Sequence, residues 1–261
     1  MMLVSGSAFV TGGGSGIGRA IAEALAAAGA PVAVMDLLPE GATETTERIR
    51  SRGGRAELLR GDVGCWEDVD AAVSRAVETL GPLGVLVNAA GIIDGYTPAA
   101  EMTPALWERV IAINLTGTFL GCKRALAELV PAGRGRIVNV ASVAGLIGSA
   151  GGPAYTASKH GVVGLTRQLA LQYAGRGITV NAVCPGTVAT GLRANSTRIL
   201  GADAPLMRGV GGDDAAVRAV TPAGRRGTVE EVAAAACFLA TEGAAYVTGH
   251  ALVIDGGWTA G

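Results

Sequence analysis

The chain alternates short apolar runs with longer helical patterns along most of its length, and that alternation narrows the fold more than any other feature. Residues 8–10, 32–35, 56–59, 83–87, 136–140, 178–183 and 251–254 read as strands. The stretch 16–28 carries Ile17, Ile21 and Leu25 at a spacing of four and reads as a helix stopped by Gly29. Further helices are expected over 43–52, 67–80, 104–130 (ended by Pro131), 154–173 and 228–239. Strands that are apolar almost throughout need cover on both faces. The pattern predicts an α/β fold, a doubly wound parallel sheet with helices on both faces, as one domain over residues 1–261. Such a sheet takes ligands at the carboxyl ends of its strands, where the strand order reverses. Residues 187–227 break the rhythm and read as a lid over a substrate.

A chain of 261 residues buries roughly 70–75% of its unfolded surface and needs no disulfide or metal to fold. Cys65, Cys122, Cys184 and Cys237 lie far apart, without a neighbouring histidine, and read as buried thiols of a reducing compartment. No metal site is expected. Lys and Arg number 21 against 22 acids, which excludes the concentrated basic face that nucleic acid demands. No basic, apolar and small-residue leader opens the chain and no apolar stretch is long enough to span a bilayer, so a cytoplasmic protein is expected.

The 41 glycines fall between the periodic segments, where turns and close backbone approaches need them. Thr11-Gly12-Gly13-Gly14-Ser15-Gly16-Ile17-Gly18 joins the first strand to the first helix. There a helix N-terminus offers unpaired N–H groups to a pyrophosphate. Asp36 ends the second strand, where a carboxylate accepts hydrogen bonds from ribose hydroxyls and repels a 2′-phosphate. Position 15 is not basic and no cation follows Asp36 directly, so the cofactor expected is NAD rather than NADP.

Tyr155 and Lys159 stand four apart on one helix and share a face. A tyrosine titrates near pH 10, too high for a base at neutrality, and an ammonium beside it favours the phenolate. Ser142 follows the strand at 136–140 and is placed to donate to a substrate oxygen.

The glycine turn, Asp62-Val63, Asn88-Ala89-Ala90-Gly91, Asn114, Ser142, Tyr155-x-x-x-Lys159 and Pro185-Gly186 occur in the order seen in the short-chain dehydrogenase/reductase family, which the chain resembles over essentially its whole length. The resemblance implies a Rossmann-like fold and an NAD-dependent hydride transfer between a secondary alcohol and its ketone. By the same resemblance, Ser142 polarises the substrate oxygen, Tyr155 exchanges its proton, and Lys159 holds the nicotinamide ribose. Asn114 holds a water that relays protons to Lys159. Gly12, Ser15, Gly16, Ile17, Gly18, Asp36, Asp62, Val63, Ala90, Gly91, Pro185, Gly186, Val188 and Thr190 serve the cofactor, and Asn88 steadies the cofactor region of the sheet. The family's epimerase branch has another glycine spacing, and its enoyl-reducing branch spaces Tyr and Lys further apart.

By position within these motifs, Ile93, Tyr96, Ala144, Leu146, Ser149, Gly152, Leu192, Leu206 and Met207 are expected to line the substrate pocket. None is charged, which points to a neutral, fairly apolar alcohol or ketone. Arg193, Arg198 and Arg208 of the lid reverse that expectation if they fold inward. Arg134, Arg136 and Arg176 read as solvated strand and helix ends rather than a docking face for an acidic carrier. The alternatives are a 3-oxoacyl reductase acting on carrier or CoA thioesters, a sugar dehydrogenase, and a non-catalytic NAD-binding module. A serine hydrolase is excluded because no G-x-S-x-G occurs, and a zinc dehydrogenase because no Cys/His cluster does. The resemblance implies a homotetramer, with the helices at 104–130 and 154–173 packing between subunits and the segment 251–257 forming a second contact.

Overall fold

A strand buried along its whole length needs cover on both faces, and all five residues of β1 (Ser7–Thr11) are buried. The computed structural model describes residues 3, 5–148 and 150–261. It sets β1, β2 (Val32–Asp36), β3 (Ala56–Arg60), β4 (Leu83–Asn88), β5 (Gly135–Val140), β6 (Ile178–Pro185) and β7 (Ala251–Ile254) in one parallel sheet, ordered β3–β2–β1–β4–β5–β6–β7.

Successive strand residues point to opposite faces, which divides the core in two. Phe9, Met35 and Leu86 meet Val69 and Val73 of α3 (Trp66–Leu80), Leu126 and Leu129 of α5 (Gly117–Ala132), and Leu169 of α6 (Pro153–Tyr173). Val10, Val34 and Val87 meet Ile21 and Leu25 of α1 (Gly16–Ala27), Ile49 of α2 (Pro39–Ser51), and Val232 and Leu239 of α9 (Val229–Leu239). Each such side chain, buried whole, contributes roughly 1.5–3 kcal/mol. The alternation predicted this layering.

Three local expectations are corrected. The helix expected from residue 43 begins at Pro39, whose fixed φ suits a first helical turn, and Asp36 Oδ1 accepts from Leu38 N–H at 3.0 Å to set its entry. The run expected as one helix over 104–130 is α4 (Pro104–Ile111), a π-helical turn (Ala112–Thr116) and α5. Pro131 does not end it; Gly133, in the left-handed region at φ 65°, does. Arg136 is not solvated but 3% exposed, donating to the carbonyls of Thr241 (3.2 Å) and Gly135 (3.0 Å) and pairing with Glu242 (3.1 Å). Of the four cysteines, Cys122 and Cys184 are buried and Cys65 and Cys237 partly so, all as free thiols.

The strand order reverses between β1 and β4, which leaves a crevice at their carboxyl ends. Thr11 faces Asn88 across that pair, and its Oγ1 accepts from the N–H groups of Ala89 (3.1 Å) and Ala90 (3.3 Å). The segment 187–227 contains α7 (Leu192–Leu200) and α8 (Asp214–Val220).

Candidate active site

The glycine turn closes on itself because its residues lack side chains. A Cβ on Gly18 would collide with the carbonyl oxygen of Gly12, so the turn and the start of α1 pack only as glycine. Ser15 at the N-cap makes no capping hydrogen bond, and no acid lies in the first turn of α1. The orphan N–H groups there suit an anion. A groove runs from this point, walled by Gly12, Ser15, Gly16, Ile17, Gly18, Asp36, Asp62, Val63, Ala90, Gly91, Pro185, Gly186, Val188 and Thr190, to Tyr155 and Lys159. Asp36 Oδ2 accepts from Gly14 N–H at 2.9 Å, which fixes the carboxylate on the groove wall with lone pairs to spare for hydroxyl donors. These residues fit a dinucleotide.

Two further positions brace the groove. Asn88 faces away from the groove, donating from Nδ2 to Asn139 Oδ1 (2.9 Å) and Cys122 Sγ (3.3 Å). It ties β4 to β5 and α5 and so braces the sheet beside the groove. Asp62 pairs with Arg109 at 2.7 Å through Oδ2 and accepts from Gly64 N–H at 2.8 Å through Oδ1, which fixes its carboxylate on the groove wall.

α6 carries the candidate chemistry. Tyr155 (8% exposed) and Lys159 (4%) lie on one face, with the Lys159 ammonium 5.6 Å from the centre of the Tyr155 ring. Lys159 Nζ donates to the Val140 carbonyl at 2.8 Å. Burial pushes the Tyr155 phenol up to about 12, against a hydrogen bond with Ser142 that works the other way. Burial also pushes Lys159 down to about 8. Ser142 is itself buried, and its Oγ accepts from Ala144 N–H at 3.1 Å. The arrangement sets a phenol, a hydroxyl and an ammonium side by side, as proton exchange at a carbinol oxygen requires.

Asn114 lies within the π-helical turn and is fully buried. Its Oδ1 accepts from Ile92 N–H at 2.9 Å, and its Nδ2 donates to the Ile92 carbonyl (2.9 Å) and to Ser158 Oγ (3.1 Å). The side-chain amide thus clamps the loop after β4 to α6.

Beside the groove opens a cavity of about 750 Å³. Ser142 and Tyr155 line both. Of the expected pocket residues, Ile93, Tyr96 and Leu192 line the cavity, and Ala144 and Met207 pack behind them with Trp258. Leu206 is 72% exposed. Leu146 packs against Val162 and Cys184 instead, and Gly152 lies against the Asp94 carboxylate. Ser149 lies outside the described residues. Arg193 lines the cavity and donates to the Gly209 carbonyl at 3.2 Å, so the expectation of an uncharged wall is corrected. Arg198 and Arg208 turn outward to Glu40 and Glu101, each at 3.4 Å.

Sequence reasoning missed Trp258, Arg226, Asn195 and Ser196. Trp258 and Arg226 line the cavity from the C-terminal end and the segment before α9. From α7, Asn195 Nδ2 donates to Ser15 Oγ (2.9 Å), and Ser196 Oγ accepts from Ile93 N–H (3.0 Å). Their partners lie over a hundred residues away, and no local pattern announces them.

Fold and site together define an oxidoreductase built on a dinucleotide-binding sheet. A family model described as Enoyl-(Acyl carrier protein) reductase matches residues 12–259. The 2-(S)-hydroxypropyl-CoM dehydrogenase 3 of Xanthobacter autotrophicus is 45% identical over 254 residues, covering 96% of this chain and 95% of that protein. The cis-4-hydroxycyclohexanecarboxylate dehydrogenase of Sinomonas cyclohexanicum is 44% identical over 254 residues, covering 97% and 96%. A solved Beutenbergia cavernae structure with NADP bound at low occupancy is similar at TM-score 0.86 and 39% identity, covering 100% of this chain and 99% of that one. The chain belongs to the short-chain dehydrogenase/reductase family.

Proposed function

We propose that this protein interconverts a neutral, fairly apolar secondary alcohol and its ketone with NAD, Tyr155 serving as the acid/base. One observation carries the reading: Ser142 and Tyr155 stand on the shared wall of the groove and the cavity, where a cofactor and a substrate would meet. The nicotinamide, when bound, supplies the hydride acceptor or donor and, oxidised, a positive charge. Ser142 holds the substrate oxygen and Tyr155 takes or returns its proton. Lys159 binds the ribose and, as a cation beside a buried phenol, opposes the burial that keeps Tyr155 protonated. Ile93, Tyr96 and Leu192 give the substrate an apolar seat, with the Arg193 guanidinium on the same wall taken up by the Gly209 carbonyl, and residues 187–227 close over it. A panel of cyclic alcohols, aryl carbinols, sugars and hydroxyacyl thioesters, followed by NADH absorbance, tests this reading. Turnover confined to sugars or thioesters would overturn it.

Asp36 supports NAD over NADP. Its carboxylate sits where a 2′-phosphate would come, Leu37 follows it, and nearby Arg19 is tied to Glu44 at 2.7 Å and to the Gly14 carbonyl at 2.6 Å. The expected preference for NAD is at least about tenfold in kcat/KM, roughly 1.4 kcal/mol. Asp36→Ala with Leu37→Arg should move it toward NADP. Equal wild-type efficiency with both nucleotides would refute the assignment.

A cytoplasmic homotetramer is also proposed. Large apolar side chains are exposed on the expected contact elements, Trp107 (40%) on α4, Phe119 (45%) on α5, Leu171 (82%) on α6 and Val253 (38%) on β7. Light scattering at micromolar concentration should give four subunits, and a monomer would count against this surface being an interface.

A further inference from the structure

Asp94, in the loop between β4 and α4, is fully buried. Its carboxylate is met by three backbone N–H groups rather than by a cation. Oδ2 accepts from Tyr155 at 2.9 Å, and Oδ1 from Gly152 at 3.1 Å and from Tyr96 at 3.2 Å. Two of these donors belong to the start of α6, whose N-cap is Gly152 and so has no capping side chain of its own. Asp94 therefore caps that helix from 58 and 61 residues away, where the positive end of the helix favours a carboxylate. The fit is close. A Cβ on Gly152 would fall 2.5 Å from Asp94 Oδ1, so only glycine admits the carboxylate there.

The third donor ties in the substrate side. Tyr96 lines the cavity and holds φ at 57°, a left-handed backbone that a tyrosine rarely adopts. Its N–H goes to Asp94, its Oη donates to the Ala150 carbonyl at 2.9 Å, and the next residue, Thr97, donates from Oγ1 to the Asp94 carbonyl at 2.7 Å. One buried carboxylate thus joins the turn that carries Tyr155 to the turn that carries Tyr96.

We propose that Asp94 is a positioning residue for the reaction, holding the Tyr155 phenol in register with the substrate cavity through the first turn of α6. The inference rests on the reading of Tyr155 as the acid/base. The charge of Asp94 has a second consequence. It lies beside Tyr155 together with Tyr96 from the same loop, Cys184 from β6 and Lys159 from α6, while Arg193 from α7 faces Tyr96. A negative charge there favours the protonated phenol, so its removal makes Tyr155 a stronger acid.

The test is Asp94→Asn, which removes the charge and sets an amide N–H against a backbone N–H. A displaced reacting group costs up to about 10²-fold in rate. The variant should lose roughly 10- to 100-fold in kcat for alcohol oxidation while NADH affinity, read by fluorescence titration, stays within about threefold. The rising limb of kcat/KM against pH should move to lower pH. Gly152→Ala, which pushes the carboxylate aside from the opposite direction, should show the same loss in kcat and serves if Asp94→Asn does not fold. An unmoved limb with near-normal kcat, or a parallel loss of NADH affinity and turnover in both variants, would overturn the proposal. Tyr155→Phe measured alongside separates the two readings. If it retains turnover the acid/base assignment fails; if it is inactive and the limb of Asp94→Asn is unmoved, only the role of Asp94 fails.

Discussion

Tyr155→Phe should lower kcat for alcohol oxidation about 10³-fold, roughly 4 kcal/mol, because positioned proton transfer contributes about 10²–10⁴ and little else changes. The phenylalanine ring fills the same buried place and keeps its face toward Lys159. Nucleotide affinity, read from NADH fluorescence, should therefore stay within about threefold. Retention of turnover within about tenfold of the wild type would remove Tyr155 from the chemistry.

Lys159→Met should reduce kcat/KM about 10²-fold and weaken NADH binding, since in the proposed mechanism one ammonium serves both the ribose and the phenol. The pH profile carries the more specific expectation. Without the cation, only the Ser142 hydrogen bond opposes the burial that raises Tyr155, and the rising limb for alcohol oxidation moves to higher pH, opposite to the shift expected of Asp94→Asn. Stability should move differently. Lys159 titrates near 8 in the folded chain against an ordinary 10.5, so between those values the unfolded chain holds more protons and stability rises with pH. At pH 7 the folded chain carries the full penalty of a buried charge, so the Tm of Lys159→Met should be unchanged or raised. A fall in Tm that accounts for the lost activity would contradict this.

What could be read from the sequence was whatever rests on neighbours along the chain. Ile17, Ile21 and Leu25 repeat at helical spacing, and α1 occupies that stretch. The apolar run 83–87 lies inside β4. Tyr155 and Lys159 share a face because four residues make about one turn. Illegible were features fixed by distant partners. Arg136 looks like a solvated strand end until Thr241 and Glu242 fold against it. Asp94 looks like a turn residue until α6 arrives above it. The pocket residues fared unevenly for the same reason. Ile93 and Tyr96 follow directly from the strand that delivers them, whereas Leu206 sits in the segment after α7, where tertiary contacts alone decide what faces inward.

The hydrogen bond from Asn195 to Ser15 bears on how this protein can be re-engineered. Ser15 stands in the glycine turn, where a basic residue would be the obvious addition for recruiting a 2′-phosphate. It is also a point on which α7 rests. An arginine there gains a phosphate partner and loses a tether of α7, which carries Leu192 and Arg193 of the cavity wall, so the two effects will not add. Changes at Asp36 and Leu37 leave that tether alone. Cofactor choice and the seating of α7 are thus separable from one side of the groove and entangled from the other.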